Sequence, residues 1–421
     1  MVIGIDCHNL EGKRTGMGRY LSNLLREWSK LGVGQKFILY FKDRTPDDIS
    51  KSSNFESKIL KSKSTAFFVH CLLPKAAEKD GVDLFFSPSY ILPLKISKKI
   101  RTAVTIHDIS YAAHPEWFSW QNNILLRFVS KKSAQRADII LTPSEFTKKE
   151  ILKHYQVNPD KIFVVPLAAE EKFRHYLSVD EKFGYCSFAG FEPESGHGLP
   201  AYREERRAKP RSRLAGANEE SKKIIPELLS ILNKYKIKSK FIFYIGAIFN
   251  RRFLPECIEA FKQIAKKFPE HQFLISGTNY THPFIDIDYI IKKANEDIGR
   301  EAILKTDYVD ESDLVYLYNL ADLFIWLSSY EGFGLPPLEA LACGTPVITT
   351  KMGSLAEAVG ESAIFINNPE DTKEISGAME EVLSDERLSN ELTKKGLKQA
   401  QKFSWGKTAE KTLEFLNHGQ K

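Results

Sequence analysis

Short apolar runs recur along the first part of the chain, and stretches of helical periodicity separate them. Residues 2–5 and 37–41 read as strands, and between them residues 17–30 carry apolar positions at helical spacing. Residues 84–87, 103–106, 139–142 and 162–165 are further candidates for buried strands. Helical patterns near residues 120–136 and 144–155 lie between the last three, and Ser144 stands where an N-cap is expected. Strands that alternate with helices predict a parallel sheet covered on both faces, the doubly wound arrangement.

The second part repeats the scheme. Residues 241–245, 272–276, 302–305, 323–327, 346–349 and 363–366 are expected strands with helical patterns between them. The fold class is therefore α/β, with two Rossmann-like domains, residues 1–170 and 223–402, facing each other across a cleft. The last segment, FSWGKTAEKTLEFLN, predicts a terminal helix anchored by Trp405, and residues 403–421 are free to cross back onto the first domain. The joint differs from the rest. From residue 184 to 220 periodicity vanishes, and Arg203, Arg206, Arg207, Arg211 and Arg213 crowd a stretch rich in Gly and Pro. An insertion or linker without fixed order over residues 183–222 is expected, and no catalytic residue within it. A basic docking segment or a stretch of foreign origin would also explain the composition.

A length of 421 residues suits two or three domains, since single cores stop growing well below it. The net charge of +6 is a modest excess, which fits a phosphate-bearing substrate or an anionic surface and does not point to nucleic acid. The cysteines show neither CxxC nor metal-type spacing, as expected of reduced thiols in a cytoplasmic protein. The opening MVIGIDCHNL reads as a strand and not as a leader. No run of about 18 apolar residues occurs, which excludes a spanning helix. Residues 58–75 mix Lys58, Lys61 and Lys63 with Phe67, Phe68, Leu72 and Leu73. That stretch is either an ordinary amphipathic element or a peripheral contact with a membrane.

Ligands of open α/β sheets settle beyond the carboxyl ends of the strands, and the candidate chemistry follows strands. In EGKRTGMGRY, Gly16 and Gly18 precede a helical pattern, where glycines admit a close ligand and the helix start offers free N–H groups. A simple tight turn is the plainer reading, and the full dinucleotide fingerprint is missing. In TIHDIS, His107 and Asp108 end a strand. In YIGAIFNRRFLPECIEAF, the strand ends at Gly246, and Arg251 and Arg252 then precede a helix. Paired guanidiniums there can grip a diphosphate.

The fullest stretch is SSYEGFGLPPLEALACGTPVITT. Pro336 and Pro337 fit a first helical turn, where their missing N–H groups cost nothing. Anion binding then falls to the N–H groups of Gly332, Phe333, Gly334 and Leu335. Glu339 is expected in the first turn of the helix, favoured by its dipole. A carboxylate would repel phosphate, so Glu339 suits a ribose diol and Glu331 the hydroxyls of a second ring. The two acids suit a nucleotide sugar.

The spacing of Glu331 and Glu339 within GFGLPPLEALACGTPV resembles the paired-glutamate signature of retaining glycosyltransferases of family 4, enzymes of the GT-B architecture. RTGMGRYLSNLL, HDISYAAHPEWF, ADIILTPSEFTKKEI, ADLFIWLSSYEGFG and FSWGKTAEKTLEFL are similar to family stretches in the same order, whereas residues 183–222 match none. The resemblance implies that Glu339 holds the donor ribose and that Glu331 contacts the donor sugar. The amides of Phe333, Gly334 and Leu335 would lie near sugar and phosphate, with Gly332 and Gly246 on the donor side. Arg251 would bind the diphosphate, with Arg252 where many relatives carry Lys. His107 would lie against the donor sugar, and Gly16 and Gly18 would admit phosphates and acceptor. The implied reaction transfers a hexose with retention, with no cofactor and no metal, from a nucleotide sugar to a saccharide or lipid-linked acceptor. GDP-mannose leads among donors, because RTGMGRY and HDISYAAHPEWF resemble mannosyltransferase-like members. The DxD of Asp286 and Asp288 starts a predicted helix and reads as coincidence. Other readings are a GT-B epimerase, a phosphorylase, or a non-catalytic protein that binds nucleotide sugars.

Overall fold

The computed structural model describes residues 1–12, 16–31, 34–118, 120–176 and 219–418. The chain divides into two units. The first comprises Met1–Glu170, Tyr330–Leu335 and Phe403–Lys421, the second Glu171–Ser329 and Pro336–Lys402.

Unit one is built on β1 (Val2–Asp6), β2 (Lys36–Phe41), β3 (Phe55–Ile59), β4 (Leu84–Ser87), β5 (Arg101–Thr105), β6 (Ile139–Thr142) and β7 (Ile162–Val164). The seven strands are parallel and ordered β3-β2-β1-β4-β5-β6-β7, with Ile3 of β1 opposite Phe37 and Leu84. Ile5, Leu39, Phe86, Val104 and Ile140 are fully buried, as strands covered on both faces require. β3, with the sequence FESKI, departs from expectation. It is an edge strand of mostly intermediate exposure, so it lacks the apolar run that marks the others. Its charges are paired, Glu56 with Lys36 at 2.6 Å and with Lys58 at 3.2 Å, and such an edge resists further strand pairing.

Unit two contains β8 (Phe241–Ile245), β9 (Gln272–Ser276), β10 (Ile303–Thr306), β11 (Leu323–Trp326), β12 (Val347–Thr350) and β13 (Ile364–Ile366). They form a six-stranded parallel sheet in the order β10-β9-β8-β11-β12-β13. Both sheets thus reverse their strand order once, between β1 and β4 and between β8 and β11. Those reversals are where the loops leaving adjacent strands part and a ligand can enter.

Residues 58–75 run out of β3 through a Thr65–Phe67 turn and a π-helical turn, Phe68–Leu72, into the helix Leu73–Lys79. Phe68 and Leu73 are fully buried, so their apolar side chains belong to the core. Asp286 caps the helix Ile287–Ile298 by accepting from the N–H of Tyr289, at 3.0 Å, which accounts for the first acid of the DxD. Of the stretch expected to be an insertion, Glu219 onward begins the helix Glu219–Lys234, and residues 183–218 lie outside the described residues. Among the described residues no helix is long and apolar enough to cross a membrane.

The terminal helix Trp405–Asn417 starts at Ser404, whose hydroxyl accepts from the N–H of Lys407. It packs on the helix Gly16–Lys30, where Trp28 donates its indole N–H to the carbonyl of Ala409 at 3.0 Å. Thr408 donates to the carbonyl of Pro166 at 2.7 Å, and Leu416 is fully buried. Leu416→Ala is expected to cost about 2–5 kcal/mol in urea unfolding. A loss below about 1 kcal/mol would show that this end of the helix is not part of the core of unit one.

Candidate functional site

In unit two the site begins where β8 ends. Gly246 has φ +138°, and a Cβ there would lie 2.6 Å from Trp326 and 3.0 Å from Arg252 Nη1, so only glycine fits. The chain then makes a short 3-10 turn, Asn250–Arg252. The Arg251 guanidinium lies over the ring of Phe249 at 4.2 Å. Arg252 is 8% exposed, and its guanidinium covers the Trp326 ring at 3.8 Å. Trp326, the last residue of β11, stacks in turn on Tyr244 of β8 at 5.3 Å. An aromatic face receives a desolvated cation well and fixes its plane. The Ser329 N–H donates to the carbonyl of Arg251 at 3.0 Å, which ties together the two loops at the strand-order reversal.

Glu339 departs from expectation. The helix is Leu335–Ala342 and starts ahead of both prolines, so Glu339 falls one turn in and outside the first turn. The helix dipole acts mainly on the terminal turn, so it stabilises this carboxylate less than expected. Glu339 is 2% exposed, and the Tyr318 hydroxyl donates to its Oε2 at 3.2 Å.

Unit one carries a separate set of candidate residues. His107 follows β5, and its Nε2 lies 3.1 Å from the carbonyl of Pro88. A carbonyl only accepts, so Nε2 carries the hydrogen and Nδ1 is the open acceptor of the neutral ring. Burial lowers the His107 pKa below 6.5, opposed by the Pro88 carbonyl and the charge of Asp108. The ring meets Tyr20 edge-on at 4.8 Å. Asp108 accepts from the N–H and hydroxyl of Ser110, at 2.9 and 2.8 Å, and so shapes the next turn.

The segment Tyr330–Leu335 lies against His107. A Cβ on Gly332 would overlap the carbonyl oxygen of His107 and come within 3.0 Å of Asp108 Cβ. The carbonyl of Gly332 accepts from Ser144 Oγ at 2.7 Å and from Thr147 Oγ1 at 3.2 Å. Ser144 also accepts from the N–H of Thr147 at 3.0 Å, so it caps its helix as expected and pins this loop as well. The Tyr330 ring rests against Phe146 at 5.0 Å and His114 at 5.3 Å. Phe333 packs on Phe403 at 5.6 Å, and Gly334 has φ +99°. Glu331 therefore projects from a backbone anchored on both sides. Gly16 and Gly18 lie in the first turn of the Gly16–Lys30 helix and not in a loop before it. A Cβ on Gly16 would meet nothing within 4 Å, so packing does not demand that glycine.

The structure brings His107, Glu331 and Gly332 together in unit one, and Gly246, Arg251 and Arg252 together in unit two. Tyr20, Tyr318, Trp326 and Tyr330 escaped the sequence reading. Each had the signature of an ordinary core aromatic, and only distance shows what it supports. Two cations held on aromatic faces can neutralise a diphosphate, and fixed carboxylates can accept from sugar hydroxyls.

Residues 14–171 match the family model described as Glycosyltransferase Family 4, and residues 230–399 match Glycosyl transferases group 1. The chain belongs to the family 4 glycosyltransferases. This glycosyltransferase is 27% identical to the O-antigen chain mannosyltransferase B of Escherichia coli, over 95% of both proteins. Its fold is that of Anabaena HepE, solved with UDP and glucose, at a TM-score of 0.64 and 14% identity over 99% of each chain. WaaG, a glycosyltransferase involved in lipopolysaccharide biosynthesis, superposes at a TM-score of 0.65 and 13% identity over 100% of each chain. At such identities the likeness is one of fold, and that fold is GT-B, two Rossmann-like domains in one chain.

Gly332→Ala is expected to force the loop or the His107 carbonyl aside and to cost about 1–3 kcal/mol in urea unfolding. An unchanged midpoint would show that the loop is not pressed against His107.

Proposed function

We propose that this glycosyltransferase moves a hexose, mannose from GDP-mannose first and a UDP-sugar as the alternative, onto a saccharide or lipid-linked saccharide. The setting is surface polysaccharide synthesis on the cytoplasmic side. The single observation that carries this reading is the likeness to the O-antigen chain mannosyltransferase B, which runs over 95% of both proteins. The anomeric configuration is retained.

Arg251 and Arg252 hold the diphosphate and offset the charge that develops as it leaves, so no divalent cation is needed. Arg252 does this with its plane set by Trp326. Glu339 accepts from the ribose, and its burial beside Tyr318 favours a ligand that supplies hydroxyl donors. Glu331 and His107 contact the transferred sugar, with Gly246, Gly332 and the amides of Phe333, Gly334 and Leu335 lining its approach. Gly16 and Gly18 leave room at a helix start for phosphate and acceptor.

The reading is tested with GDP-mannose, by calorimetric binding and by donor turnover with and without EDTA. Glu339→Gln is expected to weaken binding about tenfold, the cost of one strong hydrogen bond. Arg251→Ala is expected to slow turnover about a hundredfold. Wild-type values in both variants would overturn the residue assignment. A complete loss in EDTA that metal restores would overturn the metal-free mechanism.

A peripheral contact with an anionic membrane is part of the proposal. On the helix Trp120–Arg136, Ile124, Leu125 and Phe128 are 59%, 68% and 58% exposed. They recur at helical spacing beside the cations of Arg127, Lys131 and Lys132. The protein is expected to sediment with phosphatidylglycerol vesicles and not with phosphatidylcholine. The triple variant I124S/L125S/F128S is expected to stay in solution. Vesicle binding unaffected by the three changes would place the contact elsewhere.

A further inference from the structure

The carboxyl end of β1, at the strand-order reversal of unit one, carries a second constellation. Asp6 ends the strand, and its Oδ1 accepts from the His8 backbone N–H at 3.2 Å and from His8 Nδ1 at 2.7 Å. The Asp6 side chain is 2% exposed and that of His8 is 20% exposed, so the carboxylate is sealed and the imidazole reaches the surface. The ring stands edge-on to Phe68, with centroids 6.0 Å apart. Beside it Asn9 donates to Ser89 Oγ at 3.0 Å, which joins the loops leaving β1 and β4. Among the described residues His8 Nε2 has no hydrogen-bond partner.

Asp6 determines the chemistry of His8. By accepting at Nδ1 it fixes the tautomer, and so presents Nε2 outward as the free atom of a held ring. Burial lowers the pKa, but the charge and hydrogen bond of Asp6, with Glu11, raise it more, against Lys42, to a value above 6.5. The charged groups facing the ring are therefore Asp6, Glu11 and Lys42, two acids and one base. That balance disfavours an anion and leaves a neutral hydroxyl as the fitting ligand. Both forms of the ring serve it, since neutral Nε2 accepts from an O–H and imidazolium Nε2–H donates to its oxygen.

We propose that His8, oriented by Asp6, is a contact for the acceptor saccharide, with Nε2 binding one sugar hydroxyl at the strand-order reversal of unit one. The proposal rests on the proposed function, in which Gly16 and Gly18 of unit one leave room for the acceptor. The Asn9–Ser89 hydrogen bond already ties these loops together, so joining them does not require the outward-facing Nε2 of His8.

The test uses the full-length protein and octyl α-mannoside, with octanol as the aglycone control and GDP-mannose as an independent arm. Side-chain NMR of wild type is expected to show His8 ring signals shifting saturably with the mannoside and not with octanol. Calorimetry is expected to show mannoside affinity about tenfold weaker in His8→Ala. His8→Gln, which can place a donor or acceptor there, is expected to recover part of it. The melting temperature and GDP-mannose affinity of His8→Gln should match wild type. Wild-type mannoside affinity in both variants, no His8 shift, or an equal shift with octanol would each overturn the proposal. If GDP-mannose fails to bind wild type while His8 still answers the mannoside, the donor assignment falls and the saccharide contact stands.

Discussion

The carbonyl of His107 leaves no space for a side chain at residue 332. That one approach decides how the chain runs between β11 and the helix Leu335–Ala342. With glycine at 332 the loop lies flat on the end of β5, and its carbonyl reaches both Ser144 and Thr147. The N-cap of one helix thereby becomes the clasp of a loop nearly two hundred residues later. Tyr330 and Phe333, on either side, are each set among aromatic rings. The backbone of Glu331 is consequently held by its neighbours' packing. A loop fixed in this way is ordered before any ligand arrives, so a ligand need not supply the energy to order its backbone.

Much of the fold was legible because parallel strands buried on both faces must be continuous apolar runs. All six strands of unit two and six of the seven of unit one announce themselves so, to within a residue or two at their ends. β3 did not, because an edge strand of alternating charge is built from residues that read as loop. The positions of the candidate residues were legible too, since they follow from strand ends and not from contacts. His107, Gly246 and the arginines stand where the topology puts loops.

What stayed hidden was whatever depends on a distance across the fold. Ser144 was recognisable as a cap, but nothing in its sequence neighbourhood signals a bond to Gly332. Glu339 was placed in a first turn because two prolines suggest a helix start, whereas the helix begins one residue before them. Its partner Tyr318 stands on another helix, Glu311–Leu320, with a spacing that reads simply as core. His8 was passed over because its partner Asp6 looks, in sequence, like the polar end of a strand.

The Arg252–Trp326 pair shows why a basic residue here is not defined by charge alone. A point-like ammonium would gain from the ring's electrostatic field but could present any of its hydrogens in any direction. The planar guanidinium at 3.8 Å lies along the indole, so the ring restricts its orientation as well as its position. Gly246 makes this stacking feasible, because any Cβ there would push at Trp326 and Arg252 together. Glycine, tryptophan and arginine thus form one device drawn from the ends of β8 and β11. An anion binds a guanidinium through the N–H groups that lie in its plane, and a ring that restricts the plane leaves those groups already directed. The anion also orders fewer side-chain rotamers than it would at a freely turning lysine.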